Sequence, residues 1–444
     1  MPQFRRAITL PHATAMVVGI IIGASIFVQP SEIAGRVPSV IGICLVWLVS
    51  GMLTIIGALV CAELSARFTR SGGVYIYLSE AFSPLAGFLW GWAMFWSMHS
   101  GIIAAIAVIF ARYAGYFSPM EDGTQKMVAI AAILLISAVN YLGVRQGSTL
   151  QTVFTAGKLI AIAAIIAFGF IYGSGRTIHF AAGDLGADSG LSARNFLLAL
   201  VAGLFAFGGW HMVTYNSEET RNPRTVIPRA LILGTLIVTV CYVALNAVYM
   251  YVLPLSTVAS STRIAADAAD ALVGSGGGAI LSGLVMFSTF GGLSGIILCG
   301  PRVYYAMAQD GLLFRWVGAI HPRYCTPHRA IVLQALWSSI LVATGSYRML
   351  FTRVVYTEWI FFGLLALGLM RLRRRPAAQD VYRMWGYPVT PVLFIVCSFA
   401  IVINQIVSGP AESMFGLSLV LAGLPIYYLQ ARSRRERNRA YVHH

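Results

Sequence analysis

The chain has 444 residues, of which 58% are hydrophobic and 11% charged, with a formal net charge of +15. Its mean hydropathy of +0.76 excludes an ordinary soluble domain. Because backbone polar groups in lipid must be hydrogen-bonded within the protein, only helices or closed barrels can span a membrane. The apolar runs reach the ~20 residues that a helix needs, and they lack the ~10-residue alternating pattern of a barrel. The sequence therefore predicts an all-α membrane protein.

Windows of apolar residues predict about twelve transmembrane helices. In the first half of the chain they cover residues 8–33, 39–65, 85–117, 127–143, 150–172 and 195–217. In the second half they cover residues 229–253, 279–307, 330–346, 354–370, 392–408 and 415–430. The first run shows no signal-peptide cleavage site, so we expect it to be retained as a helix.

The basic residues are distributed unevenly between the loops. About 22 of the 31 Lys and Arg residues fall in alternate loops and in the basic tail 432–444, which by the positive-inside rule predicts that both termini are cytoplasmic. We expect a multi-pass protein of the bacterial inner membrane, and the absence of an N-x-S/T sequon agrees with that location. The charge needs no nucleic acid partner, because the tail serves as a topology anchor. The six cysteines have no metal-ligand or disulfide spacing, so we expect no metal or cofactor.

The predicted helices form two similar sets. Spans one to five and six to ten begin at similar mutual offsets, and an odd number of helices reverses the orientation of the second set. We therefore expect a single transporter domain over 1–444, built from a first inverted repeat at 7–173 and a second at 194–371. Two additional helices follow at 388–431, before the tail at 432–444.

The first helix of each repeat is interrupted by small residues at a matching place, Gly23-Ala24-Ser25 and Gly208-Gly209. Unwound backbone is tolerated in a membrane only where its freed groups line a cavity or meet a ligand. Freed amides suit a carboxylate and freed carbonyls suit an ammonium, so the pair of breaks suits a zwitterion such as an amino acid. The alternative is close helix packing through small residues.

At these residues the sequence resembles the amino acid-polyamine-organocation superfamily, and most closely its L-type amino acid transporter branch. The motifs that carry the resemblance are spread over nearly the whole chain. They are IIGASIFVQP at 21–30, RSGGVYIYLSEAFSPLAGFLWGW at 70–92, FTAGKL at 154–159, FAFGGWHMVTYNSEE at 205–219, PRVYYAMAQDGLL at 301–313, HPRYCTP at 321–327 and YRMWGYPVTP at 382–391.

The resemblance implies a LeuT-like 5+5 inverted repeat with alternating access and with the substrate held between the broken spans one and six. The implied substrate-binding residues lie at the two breaks: Ile22, Gly23, Ala24, Ser25, Phe205, Ala206, Phe207 and Gly208. Among them, residues 23–25 would hold the carboxylate and Phe205 would be an aromatic gate. Ser25 stands where the family usually has glycine, which narrows the site or adds a hydroxyl. The loop after span three has no cysteine, so we expect no disulfide-linked accessory subunit and a monomer.

Lys158 is a charged residue inside predicted span five, about eight residues from its cytosolic end, where a charge costs roughly 2.5 to 3.5 kcal/mol. The resemblance places it where sodium-coupled relatives hold a sodium ion. A lysine there would replace the metal and remove sodium coupling. The alternative is a lysine whose ammonium reaches back to the cytosolic surface.

Other polar residues are candidates of lower rank. Further gate candidates are Trp210, Glu218 and Glu219. Ion pairs between the two acids and nearby arginines could hold the inner gate closed. The weaker site candidates are His99, His211, Ser288 and Glu358. Glu358, expected near a helix start, could instead cap amides or pair with Arg353, and a lone histidine often joins helices.

These patterns predict a secondary active transporter of amino acids, with neutral L-amino acids favoured because no acidic cluster marks a cationic side-chain pocket. We expect sodium-independent exchange or proton-coupled symport. The alternatives are a non-transporting membrane amino acid sensor of the same fold and a polyamine or cationic amino acid permease. An intramembrane enzyme would need a motif such as H-E-x-x-H or G-x-S-x-G with its partners, which the chain lacks.

Overall fold

The computed structural model describes residues 4, 6–23, 25–172, 192–274, 276–345, 347–375 and 382–430. Over these ranges the chain is helical and has no β-strand, apart from one isolated bridge between Ile8 and Thr220. The prediction of an all-α protein is confirmed.

The helices of the first half follow the predicted spans with a few interruptions. They are α1 (Leu10–Ile21), α2 (Gln29–Ala34), α3 (Val40–Arg67), α4 (Val74–Ala81), α5 (Pro84–Ala93), α6 (His99–Ala114), α7 (Asp122–Tyr141) and α8 (Val144–Tyr172). A 3₁₀ segment, Ser25–Phe27, lies between α1 and α2, and a π-helical segment, Met94–Met98, joins α5 to α6.

The second half begins with another interrupted span. Its helices are α9 (Ala193–Ala206), α10 (Pro223–Val252), α11 (Leu255–Ser260), α12 (Ile264–Val273), α13 (Gly277–Cys299), α14 (Pro301–Gln309), α15 (His328–Thr344), α16 (Tyr347–Leu372), α17 (Val389–Ser408) and α18 (Pro410–Leu421). A 3₁₀ segment, Trp210–Glu219, follows α9. Predicted span eight is thus two helices, α13 and α14, joined at Gly300 and Pro301.

Ten helical stretches within the described ranges are long and apolar enough to cross a membrane, fewer than the twelve predicted. The other two predicted spans are α15, whose 17 residues extend only ~26 Å, and α16, a helix of 26 residues whose side chains are described only from Tyr356 onward. Both are helices at the predicted places. The difference therefore reflects the length of α15 and the described part of α16, and the helical order of the chain is as expected.

Small residues allow the central helices to approach closely. A Cβ atom on Gly234 of α10 would lie 2.5 Å from Val17 Cγ1 of α1, and one on Gly51 of α3 would lie 2.5 Å from Thr239 Cγ2 of α10. Without a hydrophobic driving force between helices in lipid, such close contacts are a main source of association. The interrupted α1 is therefore held against α10, which in turn lies along α3.

A buried carboxylate joins three segments at the arginine-rich end of the helices. Glu63 of α3 is fully buried and accepts hydrogen bonds from Arg67 Nη2 at 2.9 Å, Arg373 Nε at 2.9 Å and the Met384 amide at 2.9 Å. Hydrogen bonds to a charged group are the strong ones, at ~1.5 to 3 kcal/mol each. This cluster fixes the ends of α3 and α16 and the segment before α17 to one another.

Candidate functional site

The first break separates α1 from the 3₁₀ segment at Ser25–Phe27. Backbone geometry leaves the helix at Ile22, with φ −73° and ψ 75°, and the Gly23 amide donates to the Ile21 carbonyl at 2.7 Å. Ala24 lies outside the described residues. Ser25 is buried with 5% of its surface exposed. The predicted interruption of span one is confirmed.

The second break follows α9 and touches the first. Phe207 closes the helix with φ −85° and ψ 0°, and Gly209 has a φ of +93°, a backbone conformation that favours glycine. A Cβ atom on Gly209 would lie 2.5 Å from Ile20 Cγ2 of α1. Spans one and six are therefore both interrupted, and the two breaks are in contact. A binding site shared between them requires this contact.

Tyr242 of α10 joins the two breaks through its hydroxyl. The Tyr242 Oη lies 2.8 Å from the Ile21 carbonyl and 3.0 Å from the Ala206 carbonyl, so one donor is shared between the last turns of α1 and α9. Its fully buried ring packs on Phe207, with centroids 4.8 Å apart, and on Trp47 at 5.7 Å. Sequence reasoning missed this residue. A tyrosine in mid-span needs a partner for its hydroxyl, and that requirement was the available signal.

Lys158 lies deeper in its helix than predicted. Because α8 begins at Val144, Lys158 is the fifteenth of 29 residues, and its side chain is buried. Its Nζ donates to the Gly19 carbonyl at 2.9 Å and to the Ile22 carbonyl at 2.7 Å. The Lys158 side chain is therefore a hydrogen-bond donor to the carbonyls at the end of α1. The alternative of a lysine reaching the surface is wrong.

The first break also faces α13. A Cβ atom on Gly292 would lie only 3.4 Å from the Gly23 Cα atom, so α13 passes directly against the unwound segment. Ser288 lies one turn earlier and is buried, and its hydroxyl has no hydrogen-bond partner among the described residues. Phe205 lies in the last turn of α9, buried with 5% exposed, beside the breaks.

The two histidines lie among aromatic rings and helix backbones. His99 Nε2 is 2.9 Å from the Ile296 carbonyl of α13. His99 thus joins two helices, which was the alternative to a site role in the sequence analysis. The His211 ring contacts Trp90 at 5.7 Å and Phe362 at 4.9 Å between centroids. Trp210 also packs on Phe362, at 5.0 Å. His211 and Trp210 therefore anchor the 3₁₀ segment against α5 and α16.

Glu358 is the twelfth residue of α16, which begins at Tyr347. The expectation that it lies near a helix start and caps amides is wrong, since helix N-terminal amides are confined to the first turn. It is buried, with 5% exposed, and no described basic side chain forms an ion pair with it. The side chain of Arg353, its suggested partner, lies outside the described residues.

Among the described side chains, Glu219 at the end of the 3₁₀ segment pairs with an arginine and Glu218 does not. Glu219 and Arg302 of α14 are both fully buried and form a bidentate pair, with Arg302 Nη2 at 3.0 Å and Nε at 3.2 Å from the carboxylate. Glu218 instead accepts from the Ser71 amide at 3.3 Å, and its own amide donates to Ser71 Oγ at 3.2 Å. An arginine partner of Glu218 is therefore not found in the described part of the chain, and its gate role stays a prediction.

Backbone contacts tie the start of α1 to the end of the same 3₁₀ segment. The Ala7 and Ile8 amides donate to the Glu219 carbonyl at 2.9 Å and 3.0 Å, and the Arg221 amide donates to the Ile8 carbonyl at 2.9 Å. The two broken spans are thus joined at the breaks and again at their arginine-rich ends. This arrangement encloses a short unwound region with amides, carbonyls and a buried ammonium, which are the groups that a small dipolar solute requires.

Comparison with known proteins finds amino acid transporters that are similar to this chain over nearly its full length. A family model described as amino acid permease matches residues 8–425. The human (Homo sapiens) b(0,+)-type amino acid transporter 1 is 33% identical over 436 residues, which cover 96% of this chain and 88% of that protein. The serine/threonine exchanger SteT of Bacillus subtilis (strain 168) is 31% identical over 428 residues, 96% of each chain. The Asc-type amino acid transporter 1 of Mus musculus is 30% identical over 438 residues, covering 96% of this chain and 81% of that one.

Proposed function

This chain belongs to the amino acid permease family and is an amino acid transporter, and from that premise we propose that it moves neutral L-amino acids without sodium, by exchange or proton-coupled symport. The observation that carries the proposal is the buried Nζ of Lys158, which donates to the Gly19 and Ile22 carbonyls. A sodium ion at this place would need the same carbonyl oxygens. Because the lysine Nζ already donates hydrogen bonds to them, the site has no requirement for a metal ion.

The substrate lies between the two breaks in this proposal. The carboxylate is held by backbone amides around Gly23 and Ser25, and the ammonium by carbonyls at the end of α9, residues 205–208. Direct contact between Gly209 and Ile20 and the shared Tyr242 hydroxyl support this placement, since they bring the two sets of backbone groups together. The residues proposed here are those expected from the motifs, with Tyr242 added.

Small neutral substrates and exchange are favoured by two observations. The relative in Bacillus subtilis is named a serine/threonine exchanger, and Ser25 occupies space that a glycine would leave free. A cationic substrate is the second candidate, because Glu358 is a buried acid in mid-helix. An uptake screen that includes arginine and lysine distinguishes the two.

Alternating access requires a closed barrier on each side in turn. We assign the inner barrier to the buried Glu219–Arg302 pair together with the backbone contacts of Ala7 and Ile8. The bias of the arginines toward this end supports a cytoplasmic location of both termini and insertion in a bacterial inner membrane. Phe205 is the proposed aromatic gate on the opposite side of the substrate.

The test is exchange of labelled serine, alanine and leucine in liposomes that contain the purified protein, with sodium or choline outside. Equal rates in both salts are expected. Lys158→Ala leaves two buried carbonyls without their donor, at ~1 to 3 kcal/mol each, and should reduce exchange at least tenfold. Lys126, the only other lysine in the chain, pairs with Asp122 at the surface, so Lys126→Ala is the matched control and should exchange normally.

Strict sodium dependence would contradict the role given to Lys158. Binding of amino acids without any exchange or accumulation would identify the sensor alternative. Lys158→Ala protein that exchanges as fast as Lys126→Ala protein would show that the buried ammonium has no part in transport.

A further inference from the structure

A large apolar groove lies away from the broken helices. It has a volume of about 360 Å³ and lies between α5, the π-helical segment, α14, the loop at 310–318 and α15. Its lining is dominated by aromatic side chains, among them Trp92, Phe95, Trp96, Phe314, Trp316 and Trp337. The substrate-binding residues proposed above do not line it, so its occupant must be sought separately.

The wall of this groove is fixed by specific contacts. Within the π-helical segment the Trp96 carbonyl accepts a hydrogen bond from Trp337 Nε1 of α15 at 3.0 Å, and the two indole rings meet edge to face at 4.6 Å. Phe95 packs edge to face on Tyr304 at 5.2 Å. Short π-helical segments often occur at functional sites. Here the π-helical segment contributes Phe95 and Trp96 to the lining of the groove.

The depth of the groove matches one leaflet of a bilayer. Ile340, its far end on α15, lies 12 residues after His328, or on the order of 18 Å along the helix. Half of a hydrocarbon core of ~30 Å is ~15 Å. One acyl chain can therefore lie in the groove from the membrane surface to about mid-bilayer.

The surface end of the groove is positively charged. Arg315 lies between the lining residues Phe314 and Trp316, and Arg329 donates from Nη1 to the Trp316 carbonyl at 3.2 Å. Both arginines are exposed, and among the described side chains no acid forms an ion pair with either. Basic pockets at the ends of transmembrane helices are suited to anionic lipid headgroups.

We propose that this groove binds one anionic phospholipid, with an acyl chain against the aromatic lining and the phosphate between Arg315 and Arg329. The site is independent of the amino acid site, because it is formed by other helices and opens toward lipid. A neutral phospholipid would fill the same apolar volume but would leave both guanidinium groups without a counter-charge.

The test measures lipid binding to the full-length protein in detergent by native mass spectrometry, with phosphatidylglycerol and phosphatidylcholine of identical acyl chains. Phosphatidylglycerol should bind at least tenfold more tightly. The double variant Arg315→Gln/Arg329→Gln should bind both lipids equally weakly. Arg323→Gln is its control, since the Arg323 guanidinium lies over the Tyr324 ring at 5.6 Å and does not flank the groove.

A second pair of variants tests the acyl-chain site. Ile340→Trp should fill the deep end of the groove and abolish tight binding of phosphatidylglycerol. Val332, on the same helix and exposed to a similar degree, 46% against 49%, lines a different groove beside α7, so Val332→Trp should bind as the unmodified protein does. Equal affinity of the unmodified protein for the two lipids, or full binding by Ile340→Trp, would overturn the proposal.

Discussion

Replacement of Tyr242 by phenylalanine is a sharp test of the site, because it removes one oxygen atom and leaves the ring in place. The contacts of the ring with Phe207 and Trp47 are retained in Tyr242→Phe. What is lost is the hydroxyl that lies 2.8 Å from the Ile21 carbonyl and 3.0 Å from the Ala206 carbonyl.

The expected magnitude follows from the hydrogen bonds that the two carbonyls keep and lose. The Ile21 carbonyl still accepts from the Gly23 amide in this variant, so the Ala206 carbonyl is the one that loses its donor. A buried carbonyl left without a donor costs about 1 to 3 kcal/mol, which corresponds to a change of roughly 5- to 150-fold in an equilibrium between two states. This loss destabilises the conformation in which the Tyr242 hydroxyl holds the two breaks together. We therefore expect the exchange rate to fall at least ~5-fold while the protein remains folded.

The assay is exchange of labelled serine in liposomes, with the melting temperature of the same preparation measured in detergent. Tyr249→Phe is the matched control, because Tyr249 is also a buried tyrosine of α10, and its hydroxyl has no partner among the described residues. Tyr249→Phe should exchange normally. If the two variants exchange at the same rate, the shared hydrogen bond does not hold the breaks together and the reasoning is refuted.

Two further predictions concern the inner barrier and the second break. Glu219→Gln leaves the Arg302 guanidinium buried without a counter-charge, at a cost of ~3 to 5 kcal/mol, so its thermal midpoint should fall by several degrees. Glu218→Gln, whose amide oxygen still accepts a hydrogen bond, should not change it, and equal midpoints would show that the buried pair is not stabilising. Gly209→Ala should abolish exchange, because its Cβ atom would meet Ile20 at 2.5 Å in a backbone conformation of φ +93°. Normal exchange by this variant would mean that the breaks are not in close contact during transport.

The sequence allowed the prediction of those parts of the site that are marked by an unusual residue in an apolar environment. Lys158 stood out because a charge is costly in lipid, and the two glycine breaks stood out because glycine is costly in a helix. Tyr242 did not, since a tyrosine is ordinary in a membrane helix, and only the folded chain brings its hydroxyl to two carbonyls from different spans.

Errors in helix boundaries explain the misplaced residues. Apolar windows placed the start of predicted span ten at residue 354, because Arg348 and Arg353 interrupt the hydrophobic pattern, whereas α16 begins at Tyr347. Backbone hydrogen bonds continue past the point where the side chains cease to be apolar. The same effect placed Lys158 about eight residues into its helix, whereas α8 begins at Val144.

The backbone pairing of Ala7 and Ile8 with Glu219 and Arg221 has a mechanical consequence. If α1 swung outward alone, three hydrogen bonds would break, each with a net value of ~0.5 to 1.5 kcal/mol. If α1 and the Trp210–Glu219 segment tilt together, none of them breaks. The less costly motion, as far as these three hydrogen bonds are concerned, is therefore one in which two non-adjacent stretches of the chain move as a single rigid unit.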